Sequence, residues 1–478
     1  MPTFPVVHDQ APAGSAGTYP PKGFTVTFAD KVKLVAINEL RPDPRNARTH
    51  SKLQLRQIAS SIERFGFTNP VLIDAEGMIL AGHGRVEAAK LIGMDAVPVL
   101  RLSHLSEAER RAYVLADNKL ALNAGWDRDL LAGELQGLID LGFEIELTGF
   151  STAEIDFALD ASANARPGGS ENLDHVPAVT GPAVTRPGDL WALGRHRLLC
   201  GNARRSADLA LLMKGATARL IFTDPPYNVP IDGHVGGLGK VRHREFQEAA
   251  GEMSSDSFTA FLQETLGSAA AQCVDGAIAF VCMDWRHMSE LLSAGKAVFS
   301  ELKNLVVWNK TNAGMGTFYR SKHELIFVFK KGKAPHVNTF GLGDTGRYRT
   351  NVWDHAGMTS VGQARTEALA MHPTVKPAAL VADALKDCSH RGDIVLDPFG
   401  GSGSTLIAAE TSGRKARLVE IDPYYCDTTI LRWQSLTGQT AKLAERLSSA
   451  SDQDGQSRMG QSFDALMDQT SYPEEAGQ

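Results

Sequence analysis

Ile394-Val395-Leu396-Asp397-Pro398-Phe399-Gly400-Gly401-Ser402-Gly403-Ser404-Thr405-Leu406 runs from an apolar stretch through a glycine-rich turn into a helix continuing through Ala408 and Ala409. Glycine accepts positive φ and lets the backbone approach a ligand closely, so the pattern predicts a strand, a tight turn and a helix N-terminus. The next apolar run, Arg417-Leu418-Val419-Glu420, ends in an acid with Asp422 behind it. Strand, turn, helix, strand and terminal acid in that order predict an α/β fold in which Glu420 meets the hydroxyls of a ribose. The dinucleotide pattern G-x-G-x-x-G fails, because Leu406 stands where the third glycine belongs, and no Gly-Lys-Ser/Thr follows. The ligand expected here is a nucleoside without a pyrophosphate.

A second strand, Leu220-Ile221-Phe222, leads into Thr223-Asp224-Pro225-Pro226-Tyr227-Asn228. Proline fixes φ and removes a donor, so carbonyls at this turn can point outward as acceptors. An exocyclic amine on a flat ring could donate to Asp224 and to the Pro225 carbonyl while the ring stacks on Tyr227. Taken alone, the same residues also suit a Pro-Pro turn closing a buried strand.

With both motifs in view, the chain resembles the amino methyltransferases of DNA, which carry D-P-P-Y and F-x-G-x-G; here these are Asp224-Pro225-Pro226-Tyr227 and Phe399-Gly400-Gly401-Ser402-Gly403. The catalytic motif comes first, as in the circularly permuted beta class. Further similarity lies in Val307-Trp308-Asn309-Lys310, in Ser321 to Phe329, in His372-Pro373-Thr374-Val375-Lys376-Pro377 and in Leu198-Leu199-Cys200-Gly201-Asn202, where Asn202 replaces an aspartate. The resemblance spans residues 188–447. It implies a Rossmann-like domain, S-adenosyl-L-methionine as cofactor and double-stranded DNA with a flipped target base as partner. By the same resemblance Asp224, Pro225, Pro226 and Tyr227 are catalytic. Asn202, Thr374, Lys376, Asp397, Phe399, Gly401, Gly403, Thr405, Glu420 and Asp422 hold the cofactor. Cytosine-N4 relatives often carry serine where Asp224 stands, so the aspartate favours adenine N6. Glutamine or RNA methylation, usually with asparagine at that position, and a ParB-like DNA-binding regulator with a decayed enzyme domain are the alternatives.

Nearer the amino terminus, Leu80-Ala81-Gly82-His83-Gly84-Arg85-Val86 follows a hairpin expected over Val71–Leu80 and opens a helix ending near Gly93. This resembles the small α+β ParB/sulfiredoxin-type fold, whose G-x-x-R box sits at a helix start. No cysteine precedes Cys200, which argues against a sulfiredoxin. Gly82, His83, Gly84 and Arg85 form the candidate anion site. Val86 stands where ParB proteins usually have a second arginine, so an accessory module contacting DNA or protein is as good an expectation as a nucleotide switch.

The 478 residues are 43% hydrophobic, enough for more than one core. A formal net charge of -6 does not advertise nucleic-acid binding, so a local basic face is required; Lys240, Arg242, Arg244, Arg347, Arg349 and Arg365 are its candidates. Five cysteines without a close pair suggest neither zinc nor disulfides. No apolar run has spanning length and no signal peptide is evident, so a cytoplasmic protein away from membranes is expected, with a homodimer left open. The expected organisation is disorder over 1–24, a ParB-like domain with helical extension over 30–160, a linker over 161–187, the methyltransferase domain over 188–447 and a disordered tail over 448–478, in which Phe463 to Met467 could form a short docking turn. Ser51 with Gln54, Ser106 with Glu109 and Ser151 with Glu154 mark helix starts.

Overall fold

The computed structural model describes residues 32–164, 173–177, 179, 181–229, 248–310, 318–340, 349–357, 375–446 and 457–471. The segment 1–24, Lys240, Arg242, Arg244, Arg347, Arg365, His372 and Thr374 lie outside the described residues. Two compact units separate: one holds the chain up to Asp127 together with Leu147–Gly149, the other Arg128–Glu146 and everything from Phe150 on.

In the first unit, β1 (Val32–Ala36), β2 (Val71–Ile73), β3 (Ile79–Ala81) and β4 (Ala96–Arg101) form a sheet in the order β1-β4-β2-β3. The expected hairpin is β2 against β3, antiparallel with Leu72 opposite Ala81. Its turn is held by Asp74, whose Oδ1 accepts the N–H groups of Glu76 at 3.0 Å and Met78 at 2.8 Å. Helices α1 (Lys52–Phe65), α2 (His83–Leu91) and α3 (Glu107–Leu122) complete the unit. Ser51 caps α1 through the Gln54 N–H at 3.1 Å, while the Gln54 side chain turns instead to His50; Ser106 and Glu109 form a full capping box. Ile37, Val71, Ile73, Ile79, Val86 and Val97 are buried together as the core.

The second unit is built on ten strands. They are β5 (Asp189–Leu193), β6 (His196–Cys200), β7 (Ala218–Thr223), β8 (Cys273–Met283), β9 (Glu301–Asn309), β10 (His323–Lys330), β11 (Val352–Asp354), β12 (Ile394–Asp397), β13 (Lys415–Glu420) and β14 (Lys442–Arg446). Their order is β11-β9-β10-β8-β7-β12-β13-β6-β5-β14. The central run β8, β7, β12, β13 and β6 is parallel throughout. Parallel strands are buried on both faces and read as continuous apolar runs, which is why β7 and β12 were visible in the sequence. Along β7, Leu220 and Phe222 enter one core with α9 (Ala378–Cys388), α10 (Ser404–Ser412) and α11 (Pro423–Thr437). Ala218 and Ile221 enter the other with α6 (Ser206–Met213), α7 (Ser255–Ala271) and α8 (Met288–Val298). The architecture is the expected one: a doubly covered α/β sheet preceded by a small α+β unit.

Three assignments change. The helical extension α4 (Arg128–Asp140) and α5 (Thr152–Asn164) groups with the large unit, because the buried carboxylate of Asp156 lies 2.9 Å from Arg391 Nη1 and 2.9 Å from Arg414 Nη2. Part of the expected linker is packed: Asp427 accepts the N–H groups of Val184 and Thr185 at 2.7 and 3.0 Å, and Val184 is buried. Finally, α12 (Phe463–Ser471) stands where a disordered tail was expected, because Phe463 and Leu466, on one helical face, enter the core beside Trp191.

Candidate active site

The carboxyl ends of parallel strands are where open α/β sheets bind ligands. Here the ends of β6, β7, β12 and β13 supply Gly201 and Asn202, Asp224 to Tyr227, Asp397 to Gly401, and Glu420 to Asp422, which line one cavity. The sequence named these residues from four separate stretches, and the fold brings them together.

On the β12–β13 side, Gly403 takes φ +83° as the cap of α10, and a Cβ there would lie 2.7 Å from Thr429. Only glycine suits both conditions. Glu420 is buried; its Oε2 accepts the Gly401 N–H at 2.7 Å and its Oε1 the Asp422 N–H at 2.9 Å. Burial outweighs those bonds and pushes its carboxyl up to about 7. Asp397 and Thr405 bind each other rather than open space. Asp397 accepts from the Thr223 hydroxyl at 2.9 Å, the Phe399 N–H at 3.1 Å and the Thr405 hydroxyl at 2.6 Å, with its carboxyl also raised by burial to about 7. These two residues brace the turn. Asp422 caps α11 through the Tyr424 N–H at 2.9 Å. Asn202 Oδ1 accepts the Arg204 N–H at 2.9 Å.

Phe399, tilted against Phe261 at 6.0 Å between centroids, and Ile421 give the cavity apolar walls. Its two lining cations are already paired, Arg204 with Glu264 and Glu248, Lys376 with Asp224 and Glu324. Apolar walls, acids at strand ends and no unpaired cation among the described residues fit a nucleoside better than a phosphate.

On the β7 side, Tyr227 donates its hydroxyl to Asp224 Oδ1 at 2.7 Å, and Lys376 Nζ donates to Asp224 Oδ2 at 2.6 Å. Burial raises the Asp224 pKa, opposed by Lys376; burial and then Asp224 hold the Tyr227 phenol well above its usual value. Asn228, at φ +54°, accepts the N–H groups of Gly251 and Met253 at 3.1 Å each and so fixes the exit of the motif. Lys310, Glu324 and Asn228 stand inside stretches quoted from the sequence, but no local pattern announced their contacts. Arg349, a candidate for DNA, instead pairs with Asp383 and Asp387 at 2.8 and 3.2 Å.

In the small unit, Gly82 caps α2 at φ +100°, and the guanidinium of Arg85 folds back over it. His83 Nε2 accepts the Asp43 N–H at 3.3 Å, and burial lowers that imidazole's pKa. Arg85 Nε is buried without a hydrogen-bond partner. Val86 enters the core, so the position of the second box arginine is filled by packing.

Comparison with known families agrees with both halves. The DNA methylase family model matches residues 218–431, the ParB N-terminal domain model 26–119, and the ParB-methyltransferase HTH domain model 129–187. The chain is a ParB-like domain fused to a DNA amino-methyltransferase. Over 86 residues the fusion is 51% identical to the ParB-like nuclease domain-containing protein YnaK of Escherichia coli (strain K12), covering 18% of this chain and 99% of that one. It is 26% identical over 211 residues to the putative methylase YubD of the same organism, covering 44% and 79% of the two chains. Among solved structures, a putative DNA modification methylase from Thermus thermophilus, complexed with S-adenosyl-L-methionine, is 21% identical with a TM-score of 0.37, covering 53% of this chain and 99% of its own. Among the described residues of the fusion, no helix is long and apolar enough to cross a membrane.

Proposed function

We propose that this methyltransferase transfers the methyl group of S-adenosyl-L-methionine to the N6 amine of adenine in DNA. The observation that carries the reading is one cavity holding both the Asp224-Pro225-Pro226-Tyr227 turn and the glycine turn at Gly400 and Gly401 with Glu420. Gly401, Phe399, Glu420 and Asp422 would hold the cofactor by its nucleoside, with Asn202 nearby. When bound, that cofactor supplies an electrophilic methyl group on a sulfonium.

The chain's own part begins with the base, whose amine is out of reach within a stacked duplex and must be turned out. Asp224 accepts one amine hydrogen and the Pro225 carbonyl the other, while the Tyr227 ring supports the face of the base. These bonds favour a pyramidal nitrogen with its lone pair exposed. Much of the rate gain is orientation. The amine becomes strongly acidic as its new bond forms, and Asp224 accepts its proton or passes it to water. Aspartate at position 224, rather than serine, favours adenine over cytosine. Trp285, half exposed just beyond the carboxyl end of β8, with the Arg286 guanidinium 4.8 Å from its ring centre and that guanidinium 3.4 Å from Asp284, offers an approaching strand a stacking face at the same end of the sheet.

Sequencing DNA from cells that express the chain, with detection of modified bases, tests the reading. Modified adenines within a recurring sequence support it; modified cytosines alone would move the assignment to cytosine N4.

A further inference from the structure

Three stretches that resemble the methyltransferase family have no part in the chemistry above: Val307 to Lys310, Ser321 to Phe329, and the end of His372 to Pro377. The fold brings one charged side chain from each into a single line of contacts. Lys310 follows the last residue of β9 and Glu324 is the second residue of β10; the antiparallel register sets Glu324 opposite Trp308. Lys310 Nζ bonds Glu324 Oε1, and Glu324 Oε2 lies 3.0 Å from Lys376 Nζ. Lys376 Nζ in turn lies 2.6 Å from Asp224 Oδ2 and 3.3 Å from the Tyr227 hydroxyl.

An ammonium has three N–H donors. Those of Lys376 have three partners, Asp224, Glu324 and Tyr227, and the group is buried between the rings of Tyr227 at 5.5 Å and Trp308 at 5.9 Å. Its donors are all matched within the protein, which leaves none for a cofactor. Asp224, by contrast, has one partner on each oxygen, Tyr227 on Oδ1 and Lys376 on Oδ2. Two contacts fix the plane of the carboxylate and leave a lone pair on each oxygen for an incoming amine.

We propose that Lys376, held in place by Glu324 and Lys310, is a positioning residue for methyl transfer, acting through Asp224 rather than by gripping the cofactor. Glu324 is needed because a lone ammonium on a lone carboxylate can rotate and slide. A second carboxylate, itself tied to Lys310, sets its direction. Two ammonium groups and two carboxylates also sum to no net charge, which makes it tolerable to bury Lys376 fully and the other three in part. The charged and titratable groups that face Asp224 are Lys376, Glu324 and Tyr227, with Cys282 of β8 and Asp397 of β12 behind them.

The inference rests on the proposed DNA methylation, and its test separates the two. Full-length wild type, Lys376→Met, Lys376→Arg and Glu324→Gln are compared for kcat and KM on DNA, for S-adenosyl-L-methionine affinity by calorimetry, and for kcat against pH. Lys376→Met is expected to lower kcat about 100-fold, the scale of a misplaced reacting group, with the cofactor Kd changed less than about 2-fold. The acid limb of its kcat profile should move to higher pH, because the cation that opposes burial at Asp224 is gone. Glu324→Gln should lower kcat about 10-fold, and Lys376→Arg should recover part of both rate and limb. If Lys376→Met does not fold, the other two variants carry the test by the same readouts. A raised Kd with unchanged kcat would overturn the proposal in favour of a cofactor contact. A lower kcat with an unmoved acid limb and no recovery in the arginine variant would reduce Lys376 to a structural residue. Wild type unable to methylate DNA would contradict the proposed function itself, whereas an active wild type with indifferent variants contradicts only this inference.

Discussion

The ammonium of Lys376 lies 2.6 Å from Oδ2 of Asp224, although 152 residues separate them in the chain. The group proposed to receive the amine is therefore an ion pair from the outset, inside a cavity that the glycine turn and Glu420 also line.

Asp224→Ala removes the acceptor and leaves the β12–β13 side untouched. It should lower kcat by at least about 100-fold with S-adenosyl-L-methionine affinity nearly unchanged, as measured by methyl transfer and calorimetry on the purified protein. Retained turnover would take Asp224 out of the chemistry.

Glu420→Ala should weaken cofactor binding by roughly 1.5–3 kcal/mol, the worth of a hydrogen bond to a charged group. Calorimetry decides it. An unchanged Kd would leave Glu420 only its visible role of bracing Gly401 and Asp422.

Glu420 and Asp397 also give stability a pH dependence. Both carboxyls are raised by burial to about 7, so between the unfolded values near 4 and 7 the folded state binds more protons than the unfolded chain. Their contribution is fully present below about 4 and is lost as pH rises through about 7. Chemical denaturation at pH 5 and pH 8 should show a shallower loss in Glu420→Gln than in wild type. An equal loss in both would mean that Glu420 does not titrate in this range.

Asp156→Ala removes the carboxylate paired with Arg391 and with the fully buried Arg414, which keeps only neutral acceptors on Ser389 and Ser412. Breaking a buried pair from one side costs about 3–5 kcal/mol, so urea denaturation should show a loss of that size. A methyltransferase unit begun at Arg128 should keep its stability, whereas one begun at Ala161 should lose it. Equal stability of the two would remove α5 from the fold's support.

How far the sequence disclosed this site follows from the physics of each part. The turns after β7 and β12 were legible because prolines and glycines constrain the backbone locally, and the strands because burial on both faces demands continuous apolar runs. The line from Lys310 to Asp224 was not legible, since charged residues far apart in sequence carry no periodic mark of their partners. The sequence marks α12 only as a short turn over Phe463 to Met467, because two core residues, Phe463 and Leu466, sit among Ser, Gln and Asp. Helices α4 and α5 follow the small unit in the chain, whereas Asp156 ties α5 by charge to the large one and α4 packs on α5 through Leu135 and Ile155.

Arg85 tests the ParB-like unit. If its guanidinium grips a DNA phosphate, Arg85→Ala in the full chain should weaken DNA binding and reduce the slope of log affinity against log salt by about 1. An unchanged slope would favour docking to a protein instead.

The central claim is tested most directly by incubating purified wild type and Asp224→Ala with unmethylated DNA and methyl-labelled S-adenosyl-L-methionine, then digesting to nucleosides for mass spectrometry. The account predicts labelled N6-methyladenine from wild type and none above background from the variant. Label found only in N4-methylcytosine, or equally abundant product from both proteins, would contradict it.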